Sequence, residues 1–235
     1  MCGRFTQTFD FREIKVRWNI ERDLEFAPRY NIAPSQKVPV IVKGESGNEA
    51  RIMKWGLVPF WAPDSSIGNR MINARAETLM EKPSFKRLVE QRRCLVPADG
   101  FYEWRRDGNR KFPMLIRLKK KESFAFAGLW DSWRNPQMSE DVLHTFTIIT
   151  TKPNSMLKHI HNRMPVIYDQ AMGKQWLEGG GTTISMTLDA ILQPMAANYM
   201  EAYEVSKIVN APASDQSECV QPVPGGQVLD GEDYA

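Results

Sequence analysis

RRCLVPADGFYEWRRDGNRKFPMLIRL, residues 92–118, decides the fold class. Residues 92–97 read as a buried strand in which Cys94 is a small core residue. Nothing beside Cys94 would lower its pKa, so it is not a nucleophile. Residues 101–104 continue as a strand, Asp107-Gly108 marks a tight hairpin turn, and residues 111–118 return. Glu103 stands between Tyr102 and Trp104. On an alternating strand such a carboxylate either faces solvent or is held in an apolar site with a raised pKa, available as an acid.

Working outward, the same short-strand texture recurs. Residues 38–43 read as a strand, 44–48 as a hairpin turn and 51–57 as its return. Residues 123–130 and 145–151 are two further β-rich runs, with a polar loop over 135–141 between them. Helices are scattered among these. Asp10 with Glu13 resembles a capping box, after which Phe11, Ile14 and Trp18 recur at helical spacing. Residues 84–92, 154–159, 169–177 and 187–195 are predicted helical, and 202–208 a late strand. There is no βαβ alternation and no internal repeat. The expected fold is α+β: a single domain with a largely antiparallel, barrel-like β-sheet flanked by helices.

Composition bounds the class. The chain has 235 residues, 42% of them apolar, enough to bury a substantial core. No apolar run is long enough to span a bilayer, and no signal-peptide pattern is present, so no membrane partner is expected. Three cysteines (Cys2, Cys94, Cys219) without metal-type spacing imply a reducing, cytoplasmic setting and no metal or other cofactor. Net charge is +3, unevenly spread. Residues 211–235 hold five of the 28 acidic residues and no Lys or Arg, leaving residues 1–210 with all 31 basic residues and a net of +8. That balance suits a polyanion such as nucleic acid, although a scattered soluble surface also produces it. Residues 211–235, rich in Pro, Gly, Asp and Ser, read as a flexible acidic tail in which Cys219 has no role.

The residues that carry chemistry begin at the N-terminus, Met1-Cys2-Gly3-Arg4-Phe5. Trimming of Met1 would leave Cys2 with a free α-amine and a thiol on adjacent carbons. With ordinary pKa values of about 7.7–8.0 and about 8.5, both have a nucleophilic fraction near neutral pH. Such an aminothiol condenses with an aldehyde to an imine, on which the sulfur closes to a thiazolidine. The plainer reading makes Cys2 an early residue of a first strand. Residues 59–64, bracketed by Pro59 and Pro63, carry Phe60 and Trp61, and an exposed Trp on a loop is a candidate for stacking on a base. Packing against the core is the competing fate of each ring. His159 and His161 flank one isoleucine, but two ligands without a nearby Cys or carboxylate cluster make a poor tetrahedral site. A general acid/base role for His161 fits better.

Residues 1–5, 29–34, 55–61, 73–78, 94–104, 127–130 and 161–167 together resemble the SOS-response-associated peptidase family, also called abasic-site processing proteins. The stretches fall in the family's order over residues 1 to about 208. The resemblance implies a β-barrel-like sheet with Cys2 at the edge of a basic cleft. It also implies shielding of abasic sites in single-stranded DNA by covalent thiazolidine formation between Cys2 and C1′ of the ring-opened deoxyribose. On that reading Asn73 positions the sugar and the N-terminal amine, Glu103 assists ring opening and proton transfer, and His161 shuttles protons or holds the opened sugar. Arg4, Arg75 and Arg163 correspond to phosphate or backbone contacts, and Trp61 to a stacking or wedge aromatic. Two positions depart from the pattern: Ala62 stands where some relatives have another aromatic, and Pro83, beside Lys82, where some carry arginine. A monomer is implied, acting on DNA, with replication-fork proteins as candidate partners. Two rival readings stay open: a thiol (auto)peptidase using Cys2, and a non-catalytic single-strand-binding module.

Overall fold

The computed structural model describes residues 2–135, 138–179 and 184–235. In chain order the elements are β1 (Phe5–Gln7), α1 (Phe11–Arg17), β2 (Arg29–Ile32), β3 (Lys37–Lys43), β4 (Asn48–Trp55) and β5 (Asn73–Arg75). Then come α2 (Pro83–Gln91), β6 (Arg93–Ala98), β7 (Gly100–Asp107), β8 (Arg110–Leu118), β9 (Phe124–Asn135) and β10 (Met138–Thr151). The last are β11 (Met164–Pro165), β12 (Ile167–Tyr168), α3 (Gln170–Glu178), α4 (Ile184–Ile191), β13 (Met200–Glu204) and β14 (Val228–Asp230).

Strands β10-β4-β3-β6-β9 pair in that order, and β9 pairs with β10, which closes a five-stranded barrel. A second sheet runs β14-β13-β8-β7-β1-β2. Among the described strands, pairing is antiparallel except where β10 meets β4 and β5. The architecture is the α+β, largely antiparallel barrel expected from the hairpin pattern. Alternation on β3 shows how the core is divided. Val38, Val40 and Val42 join a cluster with Phe5, Phe101 and Met114 of the second sheet, while Ile41 joins Phe11, Phe85 and Trp176 of the helices. One barrel face therefore packs on the sheet and the other on α1, α2 and α3. No described helix is long and apolar enough to cross a membrane.

The hairpin between β7 and β8 turns at Gly108, whose φ of 57° suits a residue without Cβ. Gly56 does a second job. With φ of 118°, a Cβ there would lie 2.6 Å from the Gly68 carbonyl oxygen, so only glycine lets β4 exit this close to residues 68–71.

Several local expectations are corrected. Asp10 caps α1 by accepting from the Arg12 N–H, but Glu13 accepts from the Ser123 hydroxyl instead of closing a capping box. The polar loop over 135–141 is largely strand, with Met138 paired to Asn135; residues 136 and 137 lie outside the described residues. The predicted strand 202–208 is β13 followed by a 3₁₀ turn over Lys207–Asn210. The largest correction concerns residues 211–235, expected to be a flexible tail. They contribute β14 to the second sheet, 3₁₀ turns over Ser217–Val220 and Gly231–Tyr234, and a fully buried Cys219. Composition failed here because Asp215 accepts from the Tyr30 and Asn31 backbone N–H groups (2.6 and 2.8 Å) and pairs with Arg29. Polar residues that look like solvated tail are satisfied by the body of the protein instead.

Candidate active site

The site begins where β1 meets β7. The register Phe5↔Phe101 and Thr6↔Gly100, carried back along the pair, sets Gly3 opposite Glu103. The Tyr102 N–H donates to the Arg4 carbonyl at 3.0 Å, as that register requires. Cys2, just before β1, is fully buried in the core cluster. Glu103 is only 3% exposed, and this burial raises its pKa above the usual carboxylate range. The Cys2 thiol is pushed up too, first by burial and then by the Glu103 charge. Burial thus disfavours the charged form of both groups.

Asn73 arrives from another element. The short β5 lies parallel to β10 with Asn73 opposite Ile148. Its amide Nδ2 donates to the Cys2 carbonyl at 2.9 Å. Its Oδ1 is buried with no hydrogen-bond partner among the described residues. His161 follows a 3₁₀ turn over Leu157–His159. Its Nδ1 lies 4.0 Å from Glu103 Oε1 and accepts the Arg163 backbone N–H at 3.1 Å, which assigns the neutral ring's proton to Nε2. His159 goes elsewhere, its ring centroid 5.1 Å from that of Tyr234, so the two histidines do not form a chelating pair. Four chain segments therefore bring Cys2, Asn73, Glu103 and His161 together.

The expected DNA contacts divide. Arg75, on β5 two residues past Asn73, is exposed. With Arg70 and Lys82 it lines a cavity of about 540 Å³ bounded also by Asn73, Ser84 and Phe85, with no carboxylate in its wall. Trp61 is 51% exposed, and Phe60 beside it 57%. Arg163 and Arg4 are otherwise engaged. Arg163 makes a two-pronged pair with Glu77 (2.6 and 2.9 Å) and donates to the Thr150 carbonyl, and the Arg163 bond holds the Glu77 carboxyl below its usual range. Arg4 donates to Asn31 Oδ1 (2.9 Å) and to the carbonyls of Val209 and Asn210 (2.6 and 3.3 Å).

Sequence reasoning passed over Arg70, Arg87 and Asp131. Arg70 sits on a 3₁₀ turn with no motif around it, and only its approach to β5 reveals it. Phe60 carries the Arg87 guanidinium 4.7 Å over its ring, and Arg87 in turn pairs with Asp131. That pair could be found only from the fold, since α2, the loop and β9 are far apart in sequence. Ala62, placed where relatives have another aromatic, is buried, and its carbonyl accepts the Trp133 indole N–H at 2.7 Å. Pro83 opens α2, a position where its missing N–H is harmless.

With this geometry in place, the comparisons with known proteins are informative. A family model described as "SOS response associated peptidase (SRAP)" matches residues 1–212. The "Abasic site processing protein YoqW" of Bacillus subtilis (strain 168) is 47% identical over 225 residues, covering 94% of this chain and 99% of that protein. The "Abasic site processing protein HMCES" of Pongo abelii is 34% identical over 238 residues, covering 85% of this chain and 66% of that protein. A crystal structure of a protein from Bacteroides thetaiotaomicron superimposes with a TM-score of 0.86 at 28% identity, over 95% of this chain and 100% of that one. The chain belongs to the SOS response associated peptidase family.

Proposed function

We propose that the chain processes abasic sites in DNA, and that it does so by capturing the ring-opened sugar on the aminothiol of Cys2 once Met1 has been removed. The observation that carries this reading is the Asn73 amide bound to the Cys2 carbonyl beside a buried Glu103 whose pKa burial raises. The names of the relatives, abasic site processing proteins, point the same way.

The chemistry balances as follows. The Cys2 amine adds to the C1′ aldehyde, giving a carbinolamine. Loss of its hydroxyl as water, on a proton supplied by Glu103, leaves a protonated imine. The thiol then adds to the imine carbon, its proton returning to the Glu103 carboxylate, and C1′ ends bonded to both N and S. His161, its Nδ1 4.0 Å from Glu103 and held as the acceptor of the Arg163 N–H, lines the same site and is placed to hold the opened sugar. Asn73 fixes the rotation of Cys2 about its own carbonyl, and its unpartnered Oδ1 is available to the amine or to a sugar hydroxyl.

A single strand needs cations for its phosphates and aromatic faces for its bases. The Arg70–Arg75–Lys82 cavity adjoins Asn73 and supplies the first. The exposed Trp61 and Phe60 supply the second. A resting thiolate peptidase fits less well, because burial holds the Cys2 thiol protonated. The test mixes protein lacking Met1 with a single-stranded oligonucleotide carrying one abasic site and measures intact mass after denaturation. The expected product is a one-to-one adduct lighter by one water than the sum of its parts. No adduct, with ordinary salt-dependent binding, would leave a binding module; a cleaved peptide instead would leave the peptidase.

A further inference from the structure

The site uses one face of the sheet formed by β1, β2 and β7, and the opposite face is covered by the chain after Lys207. We infer that residues 209–215 act as a clamp that sets the position of Cys2 and Glu103, and that Arg4 is a positioning residue of this clamp, not a DNA contact. The inference rests on the aminothiol reading above for its catalytic consequence.

The contacts are directed at the neighbours of both reacting groups. Arg4, two residues after Cys2, spends Nη1 on Asn31 Oδ1 and the Val209 carbonyl, and Nη2 on the Asn210 carbonyl. Asn31 of β2 is fully buried and turns its Nδ2 to three carbonyls of the same segment, those of Val209, Ala211 and Ser214 (3.1, 3.0 and 2.7 Å). Asp215 closes the segment by accepting both the Tyr30 and Asn31 N–H groups. On β7 the two residues flanking Glu103 are held from the same side. The Trp104 indole N–H donates to Asn210 Oδ1 at 2.8 Å, and the Tyr102 hydroxyl meets the carbonyls of Tyr30 and Cys219. Strand alternation sends Tyr102 and Trp104 to the clamp and Glu103 to the site. The segment therefore grips β1 next to the nucleophile and β7 next to the acid, and fixes their separation. Asp215 lies beyond residue 212, where the family match ends.

The test compares Arg4→Ala, Arg4→Lys and Asn210→Ala in the full chain lacking Met1. Adduct formation is read as a first-order rate at saturating abasic DNA, and affinity as a function of salt on an undamaged single strand. Arg4→Ala is expected to slow the saturated rate by about tenfold, a misplacement well under 1 Å, with affinity and salt slope unchanged. Arg4→Lys should recover part of that rate, and Asn210→Ala should slow it in the same direction. A salt slope shallower by about 0.7, the value of one phosphate contact, with an intact saturated rate would overturn the clamp. Unchanged values throughout would do so too. Asn210→Ala removes one indole hydrogen bond and keeps the question decidable if Arg4→Ala does not fold. A readout without DNA separates the two hypotheses: alkylation of Cys2 by iodoacetamide, located by peptide mass, should be several-fold faster in Arg4→Ala. An unmutated protein that makes no adduct would sink the aminothiol reading, while equal alkylation rates would sink the clamp.

Discussion

The two faces of β7 carry opposite kinds of group. Toward the barrel, the strand presents Glu103, buried and pushed toward its neutral form. Toward the C-terminal segment, it presents Tyr102 and Trp104, whose polar atoms all find carbonyl or amide partners. One face stores an electrostatic cost that chemistry can use; the other lowers the energy of the fold. Alternation by one residue separates the two tasks, so substitutions at adjacent positions should move stability in opposite directions and the rate by very different amounts.

The sharpest break in that comparison is at the group the reactive face serves. Retaining Met1 blocks the α-amine, and no denaturation-resistant adduct should form; an undiminished adduct would refute the thiazolidine. Cys2→Ser should leave only an imine, seen as an adduct after borohydride and absent without it. Neither change touches the clamped face, so the melting temperature of Cys2→Ser should fall only by the cost of a hydroxyl in the apolar site of Cys2.

Glu103→Gln comes next. Removing a general acid should slow attachment by about 10²–10⁴-fold, measured by quenched-flow mass analysis. The same change should stabilise the fold at neutral pH. The Glu103 pKa is raised in the folded state, so this state binds the proton more tightly than the unfolded chain. Stability contributed by the group is then fully present below the unfolded pKa and falls as pH rises through the folded one. Gln carries no such titration. The melting temperatures of the two proteins should converge below about pH 4 and diverge toward pH 7, with Gln higher by about 2–4 °C for each kcal/mol relieved. Attachment by the unmutated protein should slow as pH rises through the Glu103 pKa.

What could be read beforehand follows the same division. The hairpin at Gly108, the barrel strands and the placement of Glu103 between aromatics were legible because they rest on local alternation and turn chemistry. Cys2, Asn73, Glu103 and His161 were legible as a set through family resemblance, while their meeting point depends on pairings across the chain. Residues 211–235 were misread because composition counts polar groups and cannot see that the Asp215 carboxylate accepts the Asn31 N–H while the Asn31 amide donates to the Ser214 carbonyl. Arg4 and Arg163 were expected as phosphate contacts, and the carbonyl and carboxylate partners they have within the fold are tertiary facts that no local pattern carries.

Arg75 and Arg163 sharpen the comparison at smaller scale, one cation open to solvent and one held by Glu77. Arg75→Glu should weaken binding to any single strand and make the salt slope shallower by about 0.7, with the melting temperature nearly unchanged. Arg163→Glu would set two carboxylates side by side at Glu77, so its main effect should be a lower melting temperature. A reversed pattern in salt titrations would mean that Glu77 releases Arg163 to the DNA.

The smallest expected effect is at Tyr102, next to Glu103 on the stabilising face. Its ring is fully buried, and its hydroxyl is 2.7 Å from the Tyr30 carbonyl and 3.2 Å from that of Cys219. A hydroxyl has one proton, so the shorter contact is the donated bond. Tyr102→Phe keeps the ring and strands the Tyr30 acceptor, a loss of about 1 kcal/mol, or about 2–4 °C in a chain of this size. The adduct rate should fall only slightly, because Arg4 and Asn210 still hold the two strands. Glu103→Gln, one residue along, should do the reverse, raising the melting temperature and removing most of the rate. If both substitutions moved stability in the same direction, the two faces of β7 would not be doing separate work, and Glu103 would have to be regarded as a buried structural carboxyl.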